Sequence, residues 1–555
     1  MADAKFIQVL LPLKLDWEPY YALPEGTSAQ VGDAVEVTLA GHRYTGIVTA
    51  VDVTPEGIDP KSILTIETSG TSPKVTITSP VEGNDPSSTT TPSFSGLSRE
   101  SLSFWRTLSE YYLCTTGEVY KAVIKTEMAK PKRPRKKKEE DPPADLPLTP
   151  EEADAIARIK AAFATGKTVL LQGPGREKIY RQLEQETAQK RKSFLHLTPA
   201  KKRLLLEPVK NLGLVVVDDE HDASYKQDSP APRFGAREAA IMLANLHGAN
   251  VILGSETPSL ESLYNAETGL FIKVELKQSS RQEITLINTA SEARKKGMSG
   301  SFSFKLLEAI GSTLEEGKKV LLVCRSKQAI PEATEELKSL FPEAPEKAIK
   351  ITFPAGLKTT APEGFGLVAF LQADSLLGKE DFRSDERALQ TLQHLAAKAP
   401  LVIQTREPGH PVFKALQEGG NGLTFLEERR LCELPPFTRL VNLVIRDHSE
   451  KRIEFLSKQL VAEIPGTSPR MTIGTSPRMT IGTSPRMTIG TSLRMTVGPY
   501  TPSYQQEGEY IRIIRVTLAR DKSLKARKQA IYQTVKDFEK QYKYTGHIVI
   551  DVDPV

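Results

Sequence analysis

The chain has 555 residues, of which 39% are hydrophobic and 26% charged, with a formal net charge of +5 and a sequence pI near 8.7. That length leaves room for three or four domains. No apolar run approaches the roughly 20 residues of a membrane span, so no membrane association is expected. The opening MADAKFIQVLLPLKLDWEPYY carries one Lys, a short apolar stretch, then acids and Pro, which is not a signal-peptide pattern. Cys114, Cys324 and Cys432 lie too far apart for a disulfide framework or a zinc site. A cytoplasmic protein without zinc is the resulting expectation.

From residue 6 to 68, apolar and polar residues alternate between turn signals at Gly32-Asp33, Gly41 and Gly46. This pattern predicts short strands in a small β-barrel or sandwich. The Ser-, Thr-, Pro- and Gly-rich stretch 70–98 reads as a loop, and 101–125 as helical. KPKRPRKKKEEDPP (130–143) is a charge-segregated linker whose basic half could meet phosphate or simply be solvated.

Beyond it, Thr149-Pro150-Glu151-Glu152 opens a predicted helix. Strand-like runs follow at 168–172, 193–198, 212–218 and 250–253, with a helix at 236–246 between the last two. Alternating strands and helices predict a parallel, doubly wound sheet. Runs starting at 318, 366 and 401 predict a second α/β lobe. Residues 438–464 and 508–553 each pair a strand with a long helix, a small α+β unit. It is split by GTSPRMTI repeats at 466–489 and a decayed copy at 490–497. Such short polar units cannot stack into a solenoid core.

The most informative stretch is LGLVVVDDEHDASYKQ, Leu212 to Gln227. Its apolar run ends in Asp218-Asp219-Glu220-His221, which reads as a buried strand delivering carboxylates to its C-terminal end. Ligand crevices of open α/β sheets lie there, and in nucleotide-driven motors such acids hold Mg²⁺ and orient water. A solvated acidic turn after a core strand would give the same letters. Gly173-Pro174-Gly175-Arg176-Glu177-Lys178 follows a strand and opens a helix, the context of a phosphate loop. It is short and lacks the Gly-Lys-Ser/Thr ending. A tight strand–helix turn is the plainer reading, with Arg176 or Lys178 able to meet a phosphate.

VVVDDEHDASYKQ, PRFGARE (232–238) and GSETPSLES (254–262) resemble, in order, three signature segments of the primosomal protein N′ (PriA) family of superfamily 2 replication-restart DNA helicases. LPLKLDWEPYYALPEG, EYYLCTTGEVYKA, LQADSLLGKEDFRSDERALQ, VIQTREPGHPVFKAL, ERRLCELPPFTRL and HIVIDVDPV resemble further segments, so the likeness covers much of the chain. It implies a small N-terminal β domain (1–125) that captures a DNA 3′ end and a linker at 126–147. Two RecA-like lobes (148–290, and a reduced one at 291–425) and a C-terminal α+β domain (426–555) follow.

The departures from the family pattern are specific. The phosphate loop is contracted to GPGREKIY, and the usual Glu of the DEEH box is Asp219. Glu256 replaces a small residue, the cysteines of the family's zinc modules are missing, and LQHLAAKAP (392–400) lacks the arginine of the finger. An arginine finger alone is worth roughly 10³–10⁵ in rate. The resemblance therefore implies a DNA-binding protein of replication restart with ATP-driven unwinding lost. The alternative is a weak ATP-dependent 3′–5′ helicase. Asp218, Asp219, Glu220 and His221 are the remnant box, and Gly173, Gly175, Arg176 and Lys178 the degenerate phosphate loop. ATP and Mg²⁺ are not expected to be turned over. Trp17, Tyr20, Tyr21, Arg43, Gly46, Lys132 and Arg439 are the expected DNA contacts. Tyr20 stands where the family's 3′-end pocket has an acid. Expected partners are forked or primed DNA, other primosome components and single-strand-binding proteins.

Overall fold

In the computed structural model the described residues are 5–554 apart from 24–25, 56–63, 66–96, 129–146, 278–281, 346, 361, 379–380, 465–495, 503–507 and 545. The linker with Lys132 and almost all of the repeats lie outside them. The last repeat's end does not: Thr496 and Val497 begin a strand, so the insertion closes two residues earlier than its sequence suggests.

The N-terminal sheet contains β1 (Phe6–Leu10), β2 (Tyr20–Ala22), β3 (Ala34–Leu39), β4 (His42–Val51) and β5 (Leu64–Thr65), in the order β3-β4-β1-β2-β5. It is antiparallel except for the β2–β5 pair. Alternation places Ile7, Val9, Val35, Val37 and Val48 in its core. The helical stretch that follows is two helices, α1 (Arg99–Tyr112) and α2 (Thr116–Met128). Leu113 breaks them apart by adopting a left-handed conformation with φ of 53°.

The first lobe begins at α3 (Pro150–Phe163), where Thr149 and Glu152 form a capping box around Pro150. Then come β6 (Thr168–Gln172), α4 (Arg176–Gln189), β7 (Ser193–Leu197), β8 (Leu212–Asp218), α5 (Ala236–His247), β9 (Asn250–Ser255), α6 (Leu260–Glu267) and β10 (Phe271–Glu275). They make an all-parallel sheet of order β10-β6-β9-β8-β7, with β8 buried on both faces.

The second lobe starts earlier than position 291. β11 (Ile284–Asn288) pairs in parallel with a strand more than a hundred residues later, so the boundary falls before it. A run of five residues whose partner is so distant carries no local mark of lobe membership. After α7 (Thr289–Arg294) and the hairpin β12 (Met298–Ser299) and β13 (Phe302–Ser303) come α8 (Phe304–Glu315), β14 (Lys319–Val323), α9 (Ile330–Leu340), β15 (Ile349–Thr352) and β16 (Phe365–Phe370). They are followed by α10 (Ser384–Ala396), β17 (Leu401–Thr405), α11 (Pro411–Glu418) and α12 (Phe425–Leu431). The sheet order is β11-β17-β16-β14-β15, all parallel.

The C-terminal unit has β18 (Thr438–Asp447), α13 (Glu450–Glu463), β19 (Thr496–Tyr500), β20 (Tyr510–Ala519), α14 (Leu524–Gln541) and β21 (Val549–Val552). Its antiparallel sheet has the order β19-β20-β18-β21. One apolar core runs through α1 and α2, the β7–β8–α5 side of the first lobe and this C-terminal unit. Buried charge seals the junction. Asp553 accepts from Tyr111 Oη at 2.7 Å and pairs with Arg439 at 3.3 Å, and Lys226 donates to Val552 O at 2.6 Å. Among the described residues no helix is long and apolar enough to cross a membrane.

Candidate nucleotide and nucleic-acid sites

β8 ends at Asp218, and its acids emerge at the C-terminal edge of the sheet. Asp219 turns the chain at a φ of 51°, a conformation that a short polar side chain tolerates. Across the edge, α4 presents Arg176 and Tyr180, one helical turn apart and so on one face. Arg176 Nε donates to Asp218 Oδ1 at 2.9 Å and Nη2 to Asp219 Oδ1 at 2.9 Å. Its Nη1 donates to Gly173 O at 2.6 Å, and Tyr180 Oη donates to Asp218 Oδ1 at 2.8 Å. The Arg176 side chain is only 6% exposed. Burial opposes its charge, but Tyr180, Asp218 and Asp219 outweigh that and hold the guanidinium ionised above its ordinary range. Burial and the neighbouring Asp218 raise the Asp219 carboxyl, against the pull of Arg176.

Gly173 needs its φ of 128° and its missing side chain, since a Cβ would sit 2.8 Å from that of Leu276. Gly175 is the α4 N-cap at φ 71° and bonds no side chain. Lys178 points off the face used by Arg176 and lies 3.7 Å from Glu152. The loop that could have met phosphate is thus closed by its own arginine, and both leading acids are already bonded. These residues as they stand do not fit a Mg²⁺–phosphate group.

Glu220 does different work. Its carboxylate accepts from Ser259 N at 2.7 Å, Ser259 Oγ and Ser262 Oγ at 2.9 Å each, and Arg237 Nη1 at 3.0 Å. It is buried and fully engaged in fastening the turn from β9 into α6. His221 Nδ1 meets Ser255 Oγ at 2.7 Å on the same turn. Tyr180, Arg237, Ser259 and Ser262 were not singled out by sequence. The four-residue spacing of Arg176 and Tyr180 was the available signal for the first.

The expected DNA contacts divide by burial. Trp17 is 56% exposed and Arg43 is exposed, while Tyr20 is half-buried on β2. Trp17 rims a groove of about 810 Å³ between the segment after β1, the α1–α2 corner and α14. Across it, Asp16 is held by Tyr532 at 2.8 Å and Lys536 at 3.0 Å. Tyr21 is wholly buried, with its hydroxyl 3.3 Å from Thr38 O, so it packs the core and is not the DNA contact that the resemblance implies. Gly46 presses on β1: a Cβ there would come within 2.2 Å of Val9 Cγ1. Arg439 is tied to Asp553 instead of standing free.

Residues 8–76 match the family described as 3'DNA-binding domain (3'BD) of PriA. The replication restart protein PriA of Rickettsia conorii is 23% identical over 613 residues, covering 83% of this chain and 90% of that protein. The replication restart protein PriA of Bacillus subtilis is 30% identical over 182 residues, covering 32% of this chain and 22% of that one. Among solved structures, S. cerevisiae Dbp5 bound to RNA and ADP BeF3 aligns at 12% identity with a TM-score of 0.26, over 50% of this chain and 92% of that chain.

Proposed function

We propose that the chain is a member of the family of the replication restart protein PriA, to which its residues 8–76 and most of its length are similar, and that it binds forked or primed DNA in replication restart without ATP-driven unwinding. The match of residues 8–76 to the 3′ DNA-binding domain of that family supports the first half of this reading. The observation that carries the second half is the Arg176 guanidinium bridging Asp218 and Asp219 at 2.9 Å each. A nucleotide-bound Mg²⁺ would have to displace a buried, ionised arginine, and breaking such a pair costs several kcal/mol before any metal bond forms. Lys178 offers no substitute while it faces Glu152.

DNA would be held by Trp17 and Tyr20 as stacking surfaces and by Arg43 as a phosphate contact. Primosome and single-strand-binding proteins are the partners this role calls for.

A steady-state ATPase assay with forked DNA tests the reading. The expected result is fork binding by fluorescence anisotropy with hydrolysis at background. DNA-stimulated hydrolysis abolished by Asp218→Ala would establish the weak helicase instead. Trp17→Ala should weaken fork binding by about 1–3 kcal/mol, the worth of one base stack.

A further inference from the structure

The two lobes meet across a set of polar contacts that a nucleotide does not make. On the first lobe the contributing segment runs from Glu256, just after β9, to Glu261 in the first turn of α6. On the second it is one stripe of α10 and its end: Glu386, Gln390, His394 and Lys398. Their spacing of four residues keeps them on one helix face with a slow drift.

Each member of the stripe meets the turn. Glu386 Oε1 accepts from Leu260 N at 2.7 Å, and Gln390 Nε2 donates to Thr257 O at 3.1 Å and Pro258 O at 3.2 Å. His394 Nδ1 lies 3.2 Å from Glu256 Oε2, and Lys398 Nζ is 3.4 Å from Glu256 Oε1. A second layer backs the first. Glu261 pairs with Arg383 at 2.8 Å and Arg429 at 3.6 Å, and Arg429 reaches Glu386 at 2.5 Å. The Phe382 ring lies under both arginines, 4.6 and 5.0 Å from their guanidinium carbons. Thr257, Glu386, Gln390 and Arg429 are buried.

The physics favours a closed state. Leu260 N is an orphan donor at the start of α6, and the Glu386 carboxylate supplies its acceptor at the positive end of that helix. Separating the lobes would strand that amide and pull Glu261 from two arginines. These groups are already desolvated, and regaining water through a partial opening is poor compensation. The contacts at Glu256, on the rim of an inter-lobe cavity of about 690 Å³, add a wetter outer ring.

From this juxtaposition we infer that the 256–261 turn and the Glu386–Lys398 stripe form a lock holding the two lobes in one closed arrangement, whether or not nucleotide or DNA is bound. The surface between the lobes is then static. It does not cycle.

Hydrogen–deuterium exchange on the full chain reads the lock directly at the Leu260 amide. In the unaltered protein the peptide spanning 259–263 should exchange at the same slow rate alone, with Mg²⁺ and a non-hydrolysable ATP analogue, and with forked DNA. Glu386→Gln should speed exchange there at least tenfold. Glu256→Gln combined with Lys398→Met, at the wetter outer ring, should speed it by a smaller factor. A tenfold change on adding the analogue or DNA overturns the inference, as does exchange indifferent to both variants. ATP turnover bears on the proposed function alone and is read in a separate assay, so failure of one leaves the other standing.

Discussion

Arg176 is the residue on which the chemistry turns. It takes both carboxylates that a metal would need, so its removal should do two opposite things. Arg176→Met leaves Asp218 and Asp219 facing each other without their cation, and stability measured by urea unfolding should drop by about 3–5 kcal/mol, the cost of orphaning a buried charge. The same change frees an acidic pair, so millimolar Mg²⁺ should raise the melting temperature of the variant and leave that of the unaltered protein where it was. A variant indifferent to Mg²⁺ would mean that the carboxylates do not converge on a cation. Sequence made the acids legible because an apolar run ending in charge has few other readings. It could not tell that Arg176 would satisfy them, because a cation three residues after a glycine looks the same whether it turns outward to phosphate or inward to Asp218. The same ambiguity governs the adjacent tyrosines. One strand position decides that Tyr21 fills the core and Tyr20 does not, and a single-residue register shift would exchange them.

At the level of elements, strand β8 and its neighbours were readable from hydrophobic runs, and α3 from its cap, since those signals are local. β11 lies in the sheet of the second lobe although the sequence reading sets the boundary after it, because the mark of its membership is a partner beyond residue 400. Gly46 shows the other limit. The resemblance places it at the DNA surface, whereas it lets β4 lie against β1, so Gly46→Ala should destabilise the N-terminal sheet by about 1–3 kcal/mol through overpacking. Any loss of fork affinity should follow unfolding of that sheet, as thermal melts of the variant would reveal. The α10 stripe yields a pH prediction. A hydrogen bond from His394, aided by Lys398 and by Arg176 and opposed by partial burial, holds the Glu256 carboxyl down to about 2 from its ordinary 4.5. Burial would raise Glu261, but Arg383, Arg237 and Arg429 overcome it and bring that carboxyl also to about 2. Carboxyls depressed on folding stabilise the fold fully above the unfolded value near 4.5 and lose that contribution as pH falls toward 2. The urea-midpoint gap between the unaltered protein and Glu256→Gln should therefore be constant from neutral pH to about 4.5 and shrink below it. A gap that persists at the acid end would assign the effect to something other than ionisation of Glu256.

Across the whole molecule, cohesion is unevenly distributed. The helices after the N-terminal sheet, half of the first lobe and the C-terminal unit share one apolar core. The second lobe has its own two cores, one on each face of its sheet, with Phe425 among the residues touching both its core and the shared one. The polar turn-and-stripe contact joins the second lobe to the rest, beside apolar packing of Leu423, Phe425 and Leu426 on the shared core. Apolar burial is cooperative and hard to subdivide, whereas a polar seam holds two bodies together without merging them. Calorimetry should therefore resolve two transitions in the intact chain, one for the shared core and one for the second lobe. Glu386→Gln weakens only the seam, because its carboxylate is bonded to Leu260 N and to Arg429 and lies outside the shared core. It should lower the second-lobe transition by several degrees and leave the other within error. Asp553→Ala should do the reverse, because it removes the acceptor of Tyr111 and the partner of Arg439 where the C-terminal strand is pinned. Movement of both transitions together in either variant would mean that the lobes unfold as one unit and that the seam carries more than its polar contacts.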